Sequence, residues 1–121
     1  MALSGGCFCG ALRYEIDQGE YLSVNCHCSM CRRTSAAAYV TWLVVPKEHF
    51  RLNSSEPASF ASSDHGRRQF CPACGTPVTC VNTNHPEIVD VTVCSLDDPT
   101  AFPPSRSVYT DTRLAWTDPE R

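Results

Sequence analysis

Several short segments of the chain alternate between apolar and polar residues with a period of two. From Leu12 to Ile16 the even positions are apolar and the odd positions are charged, and from Ile88 to Val93 the odd positions are all valine. Such alternation predicts strands with one buried face. The segment from Tyr39 to Val45 is rich in β-branched and aromatic residues and stops at Pro46, which predicts a more fully buried strand.

Weaker strand signals and one short helix complete the predicted elements. The weaker strands are predicted at Tyr21 to Asn25, Ala58 to Ala61, Pro77 to Val81 and Arg106 to Thr110. The helix is predicted over Ser29 to Ala37, with Ser29 as its N-cap. Strands that recur between turn residues, without a βαβ rhythm, predict a mainly β fold of small antiparallel β-sheets with one short helix.

Length, composition and charge narrow the class of protein. The chain has 121 residues, of which 42% are hydrophobic and 19% charged, and this is typical of one globular domain covering residues 1–121. Ten Lys and Arg residues against thirteen Asp and Glu give a net charge of -3, which argues against nucleic acid as a partner. The longest nearly apolar run, Ala36 to Val45, is ten residues, whereas a membrane span needs about 20. The N-terminus has no basic or apolar region typical of a secretory signal, so a cytoplasmic protein is expected.

Cysteine is the unusual feature of the composition, with nine residues in the chain. An odd number cannot pair fully within one chain, and in a reducing compartment clustered cysteines are more often metal ligands or catalytic groups. Seven of them fall into three tight groups, which are Cys7-Phe8-Cys9, Cys26-His27-Cys28-Ser29-Met30-Cys31 and Cys71-Pro72-Ala73-Cys74. Cys80 and Cys94 stand alone and are interpreted as non-ligand thiols.

The spacing of these groups favours zinc. A Cys-x-x-Cys turn can direct two sulfur atoms at one ion about 2.3 Å away, and a glycine directly after it permits a positive φ. A tetrahedral structural site needs four ligands. Two of the groups supply that number, and we call them the four-cysteine cluster: Cys7, Cys9, Cys71 and Cys74. The remaining group is the trio: Cys26, Cys28 and Cys31. A trio matches a catalytic zinc site, which has three protein ligands and an open position.

Other interpretations of the same residues stay open at this stage. The seven cysteines could form two zinc sites, one site with spare thiols, or disulfides. The trio could be a structural site that is closed by a distant fourth ligand or by His27, although His27 lies between two ligands and is expected to point away. Arg32 and Arg33 follow the trio, either as solvated surface charges or as groups that offset thiolate charge and bind substrate carboxylates.

Three sequence blocks together resemble the glutathione-dependent formaldehyde-activating enzyme family, whose domain also occurs in centromere protein V. The blocks are Gly6-Cys7-Phe8-Cys9-Gly10 with Arg13-Tyr14, Cys26-His27-Cys28-Ser29-Met30-Cys31-Arg32-Arg33, and Phe70-Cys71-Pro72-Ala73-Cys74-Gly75-Thr76-Pro77. The terminal Arg113-Leu114-Ala115-Trp116 is similar to the family's closing motif. Two positions depart from the family pattern, since Ala36 stands where Gly is frequent and Ser107 where His is usual.

The resemblance implies a mainly antiparallel β fold built around zinc, with the four-cysteine cluster as the structural site and the trio as a second, catalytic-type site. It also implies a carbon–sulfur lyase that joins a thiol, glutathione, to a small aldehyde, formaldehyde. In that reaction Arg32 or Arg33 would hold the carboxylates of the thiol. A zinc ion with several thiolate ligands is electron-rich, which favours thiol binding over carbonyl polarisation. The alternative is a non-catalytic zinc module that binds a protein partner, with both sites closed.

Overall fold

Ten strands and one α-helix lie within residues 2–52 and 55–118, which are the residues that the structure, a computed structural model, describes. The strands are β1 Ala2–Gly6, β2 Arg13–Asp17, β3 Leu22–Cys26, β4 Val40–Pro46, β5 Phe50–Leu52, β6 Ala58–Ala61, β7 Gly66–Phe70, β8 Pro77–Asn82, β9 Ile88–Thr92 and β10 Arg106–Val108. The helix, α1, is Ser29–Ser35, and short 3-10 turns cover Lys47–His49, Val93–Ser95, Pro99–Ala101, Thr110–Thr112 and Ala115–Thr117. Over the described ranges, the structure has no helix of the length and apolar character needed to traverse a bilayer.

The strands form two sheets. The smaller has the order β1-β2-β5, and the larger has the order β10-β3-β4-β9-β8-β7-β6. Neighbouring strands are antiparallel except for β10 and β3, which are parallel. The predicted mainly β fold with one short helix is therefore confirmed, and the larger sheet is mixed rather than purely antiparallel. The chain reaches β10 only after a long excursion from β3, so no hairpin turn imposes an antiparallel direction on this pair.

The predicted strands are all present, with ends shifted by two residues or fewer. Three further strands, β1, β5 and β7, were not predicted. The sequence of β1 is rich in small residues and that of β7 is mostly polar, so neither shows the alternation that marks a half-buried strand. Pairing with already formed neighbours, rather than local preference, makes these segments strands.

The helix differs from the prediction at both ends. Its N-cap is Cys28 rather than Ser29, because the Cys28 sulfur accepts a hydrogen bond of 3.2 Å from the backbone N–H of Cys31. It ends at Ser35 because Ala36 adopts the left-handed conformation, with φ 54°. A left-handed residue stops the α-helical hydrogen-bond series, and in alanine it costs free energy that glycine would not lose.

The larger sheet separates two apolar clusters. On one side, side chains of both sheets form the main core, in which Leu12, Tyr14 and Ile16 are fully buried, as their alternation predicts. On the other side a smaller cluster contains Val24, Cys26, Cys31 and Trp42. The fold thus places Cys7 and Cys71 of the four-cysteine cluster in the main core and the trio in the smaller cluster.

Candidate metal centres

The sulfur atoms of the four-cysteine cluster all lie within 4.8 Å of one another. The sulfur atoms of Cys7 and Cys9 are 3.6 Å apart, and those of Cys9 and Cys71 are 3.7 Å apart. Four sulfurs held tetrahedrally at about 2.3 Å from one zinc ion would be separated by about 3.8 Å. The cluster therefore has the geometry to hold a metal ion. All nine cysteines of the chain are free thiols, so the structure does not support the disulfide interpretation.

Two glycine-containing turns bring these sulfurs together. Gly10 and Gly75 have φ values of 82° and 83°, a conformation that side chains other than glycine rarely adopt. The N–H of Gly10 bonds to the carbonyl of Cys7, and the N–H of Gly75 bonds to the carbonyl of Cys71. Each turn folds back over its own first cysteine, and for the Cys71–Cys74 turn the glycine that follows it predicted this conformation.

The four-cysteine cluster lies at the edge of the core, with some of its cysteines buried and others accessible to solvent. Cys7 and Cys71 are buried, Cys74 is half-buried and Cys9 is exposed. The hydroxyl oxygen of Thr76 lies 3.2 Å from the Cys74 sulfur. Hydrogen bonds from Thr76, together with a backbone N–H of Cys9, lower the pKa of the Cys74 thiol to about 5. The thiolate form required of a metal ligand is thus favoured at this corner.

The trio assembles where β3 ends and α1 begins. Its three sulfurs lie within 4.8 Å of one another, and those of Cys26 and Cys31 are 3.4 Å apart. Cys26 is the last residue of β3, Cys28 caps α1, and Cys31 lies in its first turn. Within residues 2–52 and 55–118, no fourth His, Cys, Asp or Glu joins this group. The arrangement could hold a metal ion and leave one of four tetrahedral positions without a protein ligand.

His27 lies outside the trio, as expected from its position between two of the cysteines. Its side chain is only 1% exposed, and its ring packs against that of Tyr39 at a centroid distance of 4.9 Å. Its Nε2 atom lies 3.4 Å from Nη2 of Arg113. Burial, reinforced by the Arg113 charge, lowers the pKa of His27. The residue thus joins the C-terminal motif to the segment that carries the trio.

Two side chains from the larger sheet contact the sulfur of Cys31. Nε1 of Trp42 donates a hydrogen bond of 3.4 Å, and both Nη atoms of Arg68 lie 3.7 Å from the same sulfur. Arg68 is only 8% exposed. Its Nε donates to Ser62 at 2.8 Å, and its Nη1 donates to Thr34 at 3.2 Å. A buried cation is therefore held against one cysteine of the trio.

The three thiols of the trio are electrostatically unequal. The hydrogen bond shared with Cys26, with further contributions from Trp42 and Arg68, lowers the pKa of the Cys31 thiol to about 5 against the opposing effect of burial. The same shared bond, together with burial, raises the pKa of Cys26. The surroundings therefore favour the thiolate form at Cys31 more than at Cys26. Sequence reasoning did not identify Arg68, because the sequence of β7 has no apolar pattern that would indicate which side faces inward.

The predicted arginine pair lies on α1. Arg32 is half-buried and Arg33 is exposed. Neither is among the described residues that line the large cavity beside the trio. Their role as carboxylate ligands stays a prediction.

A cavity of about 810 Å³ is lined by residues that adjoin or contact both cysteine groups, whereas none of the seven clustered cysteines is among its described lining residues. Its wall includes five aromatic residues, which are Phe8, Tyr39, Trp42, Phe60 and Phe70. Phe8 comes from the turn of the four-cysteine cluster, whereas Trp42 and Arg68 contact the trio. Trp116, of the C-terminal motif, does not line the cavity and is 63% exposed. Among the described lining residues Arg68 alone is charged.

The two isolated cysteines lie outside both metal-ligand groups, as predicted. Cys80 is half-buried and packs against the smaller apolar cluster, where burial raises the pKa of its thiol to about 11. Cys94 is exposed and lines the cavity.

Comparisons with known proteins show the family and the fold of the chain. The sequence pattern of a family described as "Glutathione-dependent formaldehyde-activating enzyme" matches residues 2–112. A protein of Halomonas elongata, provisionally named as a glutathione-dependent formaldehyde-activating enzyme, is 29% identical over 116 residues, covering 88% of this chain and 73% of that protein. The crystal structure of a Rhodobacter sphaeroides protein shares the fold with a TM-score of 0.71 and 21% identity, covering 87% of this chain and 99% of the other. The chain belongs to the glutathione-dependent formaldehyde-activating enzyme family.

Proposed function

We propose that the protein is a zinc-dependent carbon–sulfur lyase that forms or cleaves the adduct of a glutathione-like thiol with a small aldehyde. The trio is the observation that carries this proposal, because three sulfurs converge and no fourth ligand joins them from the described residues. A closed structural site, as in a non-catalytic module for a protein partner, would need that fourth ligand. Membership of the family supports the same class of reaction.

Both groups of cysteines suit zinc by donor type, since thiolates select soft or borderline metals such as Zn²⁺ over Mg²⁺ or Ca²⁺. The four-cysteine cluster would hold a structural ion and the trio a catalytic one. When bound at the trio, zinc supplies an open coordination position and lowers the pKa of a thiol placed there. The free cysteines are consistent with a reducing compartment, which supports a cytoplasmic location.

Arg68 and Trp42 act on the trio through Cys31. Three thiolates with one divalent cation have a net charge of about -1, which the single positive charge of Arg68 offsets. The hydrogen bonds to Cys31 draw electron density from its sulfur, so that the site is a less electron-rich metal centre than three unassisted thiolates would make. Arg68 is therefore a positioning residue that acts through Cys31. It supplies the positive charge that Arg32 and Arg33 were predicted to supply.

The reaction needs no oxidant or further reactant. In the forward direction the S–C bond forms, the π bond of the aldehyde carbonyl breaks, and the thiol proton is transferred to the carbonyl oxygen. Holding the two reactants together at one site supplies much of the acceleration, because a bimolecular step becomes effectively unimolecular. We assign Arg32 and Arg33, in the last turn of α1, to the carboxylates of the thiol.

X-ray absorption at the zinc edge tests this assignment. Glutathione added to the zinc-loaded protein should raise the average number of sulfur ligands per zinc, and calorimetry should detect binding. The Cys28→Ser variant, which lacks one ligand of the trio but not of the four-cysteine cluster, is the matched control and should lose the response. Unchanged sulfur coordination together with no calorimetric binding would exclude thiol binding at the trio.

A further inference from the structure

We propose that the cavity beside the trio binds the aryl group of an aryl-substituted aldehyde, so that the protein's carbonyl substrate is larger and more apolar than formaldehyde. The inference rests on the proposed function and names the substrate class of that same site.

The size of the cavity is the first argument. Its volume of about 810 Å³ lies within the range of roughly 300–1,000 Å³ that is usual for sites of drug-sized ligands. Formaldehyde has two non-hydrogen atoms and needs a space comparable to that of a water molecule, about 30 Å³. The cavity therefore has room for a carbonyl substrate larger than formaldehyde beside the sulfur end of a bound thiol.

The chemistry of the wall is the second argument. Arg68 is the one charged residue among the described lining residues, and its guanidinium is already engaged by Ser62, Thr34 and Cys31. A carboxylate or ammonium group against this wall would gain no unengaged partner of opposite charge. The wall thus favours an uncharged, apolar occupant.

The aromatic side chains specify the shape of that occupant. Phe60 and Phe70 meet edge to face, with ring centroids 5.8 Å apart. Trp42 lies in the same wall and also contacts the sulfur of Cys31. Aromatic rings in contact prefer offset or edge-to-face arrangements, each worth about 0.5–1.5 kcal/mol beyond the apolar area that they bury. An aryl group among these rings would hold the attached carbonyl on the side of the cavity where Trp42 borders the trio.

The reaction with such a substrate balances as it does for formaldehyde. The S–C bond forms between the thiol and the carbonyl carbon, the carbonyl π bond breaks, and the thiol proton goes to the oxygen. Only the substituent on the carbon differs.

Steady-state kinetics with two aldehydes provide the first test. In the zinc-loaded protein, kcat/KM should be higher for phenylacetaldehyde than for formaldehyde at the same glutathione concentration. Phe60→Ala should lower kcat/KM for phenylacetaldehyde about tenfold and lower the value for formaldehyde much less. Leu22→Ala is the matched control, because Leu22 is 40% exposed, against 41% for Phe60, and does not line the cavity. A wild-type preference for formaldehyde, or an equal loss for both aldehydes in Phe60→Ala, would overturn the inference.

Binding of 2-phenylethanol separates this inference from the proposed function, because the alcohol cannot form an adduct with a thiol. Ligand-observed NMR on the zinc-loaded protein should detect binding that Phe60→Ala weakens and Leu22→Ala does not. If it does so while no pair of thiol and aldehyde is turned over, the aryl site is supported and the proposed reaction is wrong. If 2-phenylethanol does not bind at millimolar concentration, the inference is wrong whatever the turnover.

Discussion

The four-cysteine cluster and the trio both consist of cysteines, but the sequence separation between their members is very different. Cys9 and Cys71 are separated by 62 positions, whereas Cys26 and Cys31 are separated by five. In the chain-entropy account of cross-links, closing a loop of about 60 residues is worth about 4 kcal/mol, and closing one of about six residues about 2 kcal/mol. The first cluster therefore joins distant parts of the fold, and we expect a metal ion there to stabilise the fold more than a metal ion at the trio.

The groups around the sulfurs differ as well. The contacts to Cys7 and Cys74 include backbone N–H groups and a hydroxyl, which are neutral. The sulfur of Cys31 is contacted by a buried cation, Arg68, and by an indole N–H. A charged hydrogen-bond donor interacts more strongly with a thiolate ligand than a neutral donor does. The comparison indicates that side-chain donors modify the electrostatics of the Cys31 sulfur in the trio. The four-cysteine cluster is held mainly by backbone geometry.

The largest difference is expected from serine substitutions in the two groups. Cys71→Ser should prevent folding, because apparent zinc affinities of about 10–16 kcal/mol in structural sites match or exceed the whole stability of a typical domain. Cys71 is also fully buried in the main core. Cys28→Ser should stay folded and lose one zinc ion per chain, since serine can replace the N-cap of α1. Circular dichroism and metal analysis check both variants, and a folded Cys71→Ser protein with wild-type melting temperature would contradict the structural role.

Chelation should separate the two sites in the wild-type protein. A mild chelator is expected to remove one zinc ion per chain and abolish adduct formation while the circular dichroism spectrum is unchanged. A stronger chelator should remove the second ion together with the folded signal. Loss of both ions in one step, coincident with unfolding, would mean that the trio is as structural as the four-cysteine cluster.

Arg68→Gln tests whether the cation beside Cys31 changes the electronic properties of a metal bound at the trio. With cobalt as the probe metal, loss of the cation should raise electron donation from Cys31 and shift the sulfur-to-cobalt charge-transfer band of the trio to longer wavelength. Metal affinity at the trio should fall about 10–100-fold. The band of the four-cysteine cluster serves as an internal reference and should not move.

Arg67→Gln is the control for that experiment. Arg67 is the neighbouring residue on β7, and its Nη1 donates to backbone carbonyls of the preceding turn at the surface. Its removal should leave both bands in place. Equal shifts in the Arg67 and Arg68 variants would show that general destabilisation, rather than contact with Cys31, changes the spectrum.

The smallest expected effect is a change in stability from substitution of the residue with left-handed backbone conformation that follows the trio. In the four-cysteine cluster they are glycines, Gly10 and Gly75, whereas after the trio the position is Ala36. Ala36→Gly should remove the left-handed strain and raise stability by about 1 kcal/mol, or the melting temperature by about 4 °C. Ala37→Gly, at a position without positive φ, should be neutral or destabilising. Calorimetry compares the two variants, and equal effects would remove strain as the explanation.

The strands that could be predicted are those whose own residues show a pattern typical of a buried or half-buried strand. Alternation identified β2 and β9 because one face of each is buried, and valine and aromatic residues identified β4. The strand β7 could not be predicted, because Arg68 occupies one of its inward positions. Its charge is satisfied by partners from α1 and the turn before β7, and no local pattern records them.

By itself, the sequence grouped the cysteines by their local spacing and predicted that Cys7, Cys9, Cys71 and Cys74 share one ion, while other combinations stayed open. The structure brings the sulfurs of these four residues together. The sequence also indicated that the glycine after Cys74 allows the turn there. Only the tertiary structure decided that Trp42 and Arg68 meet the sulfur of Cys31 and that aromatic rings line the same cavity as these two residues. These contacts join residues on different strands of one sheet to the first turn of a helix, and their proximity arises from strand pairing and burial rather than from spacing along the chain.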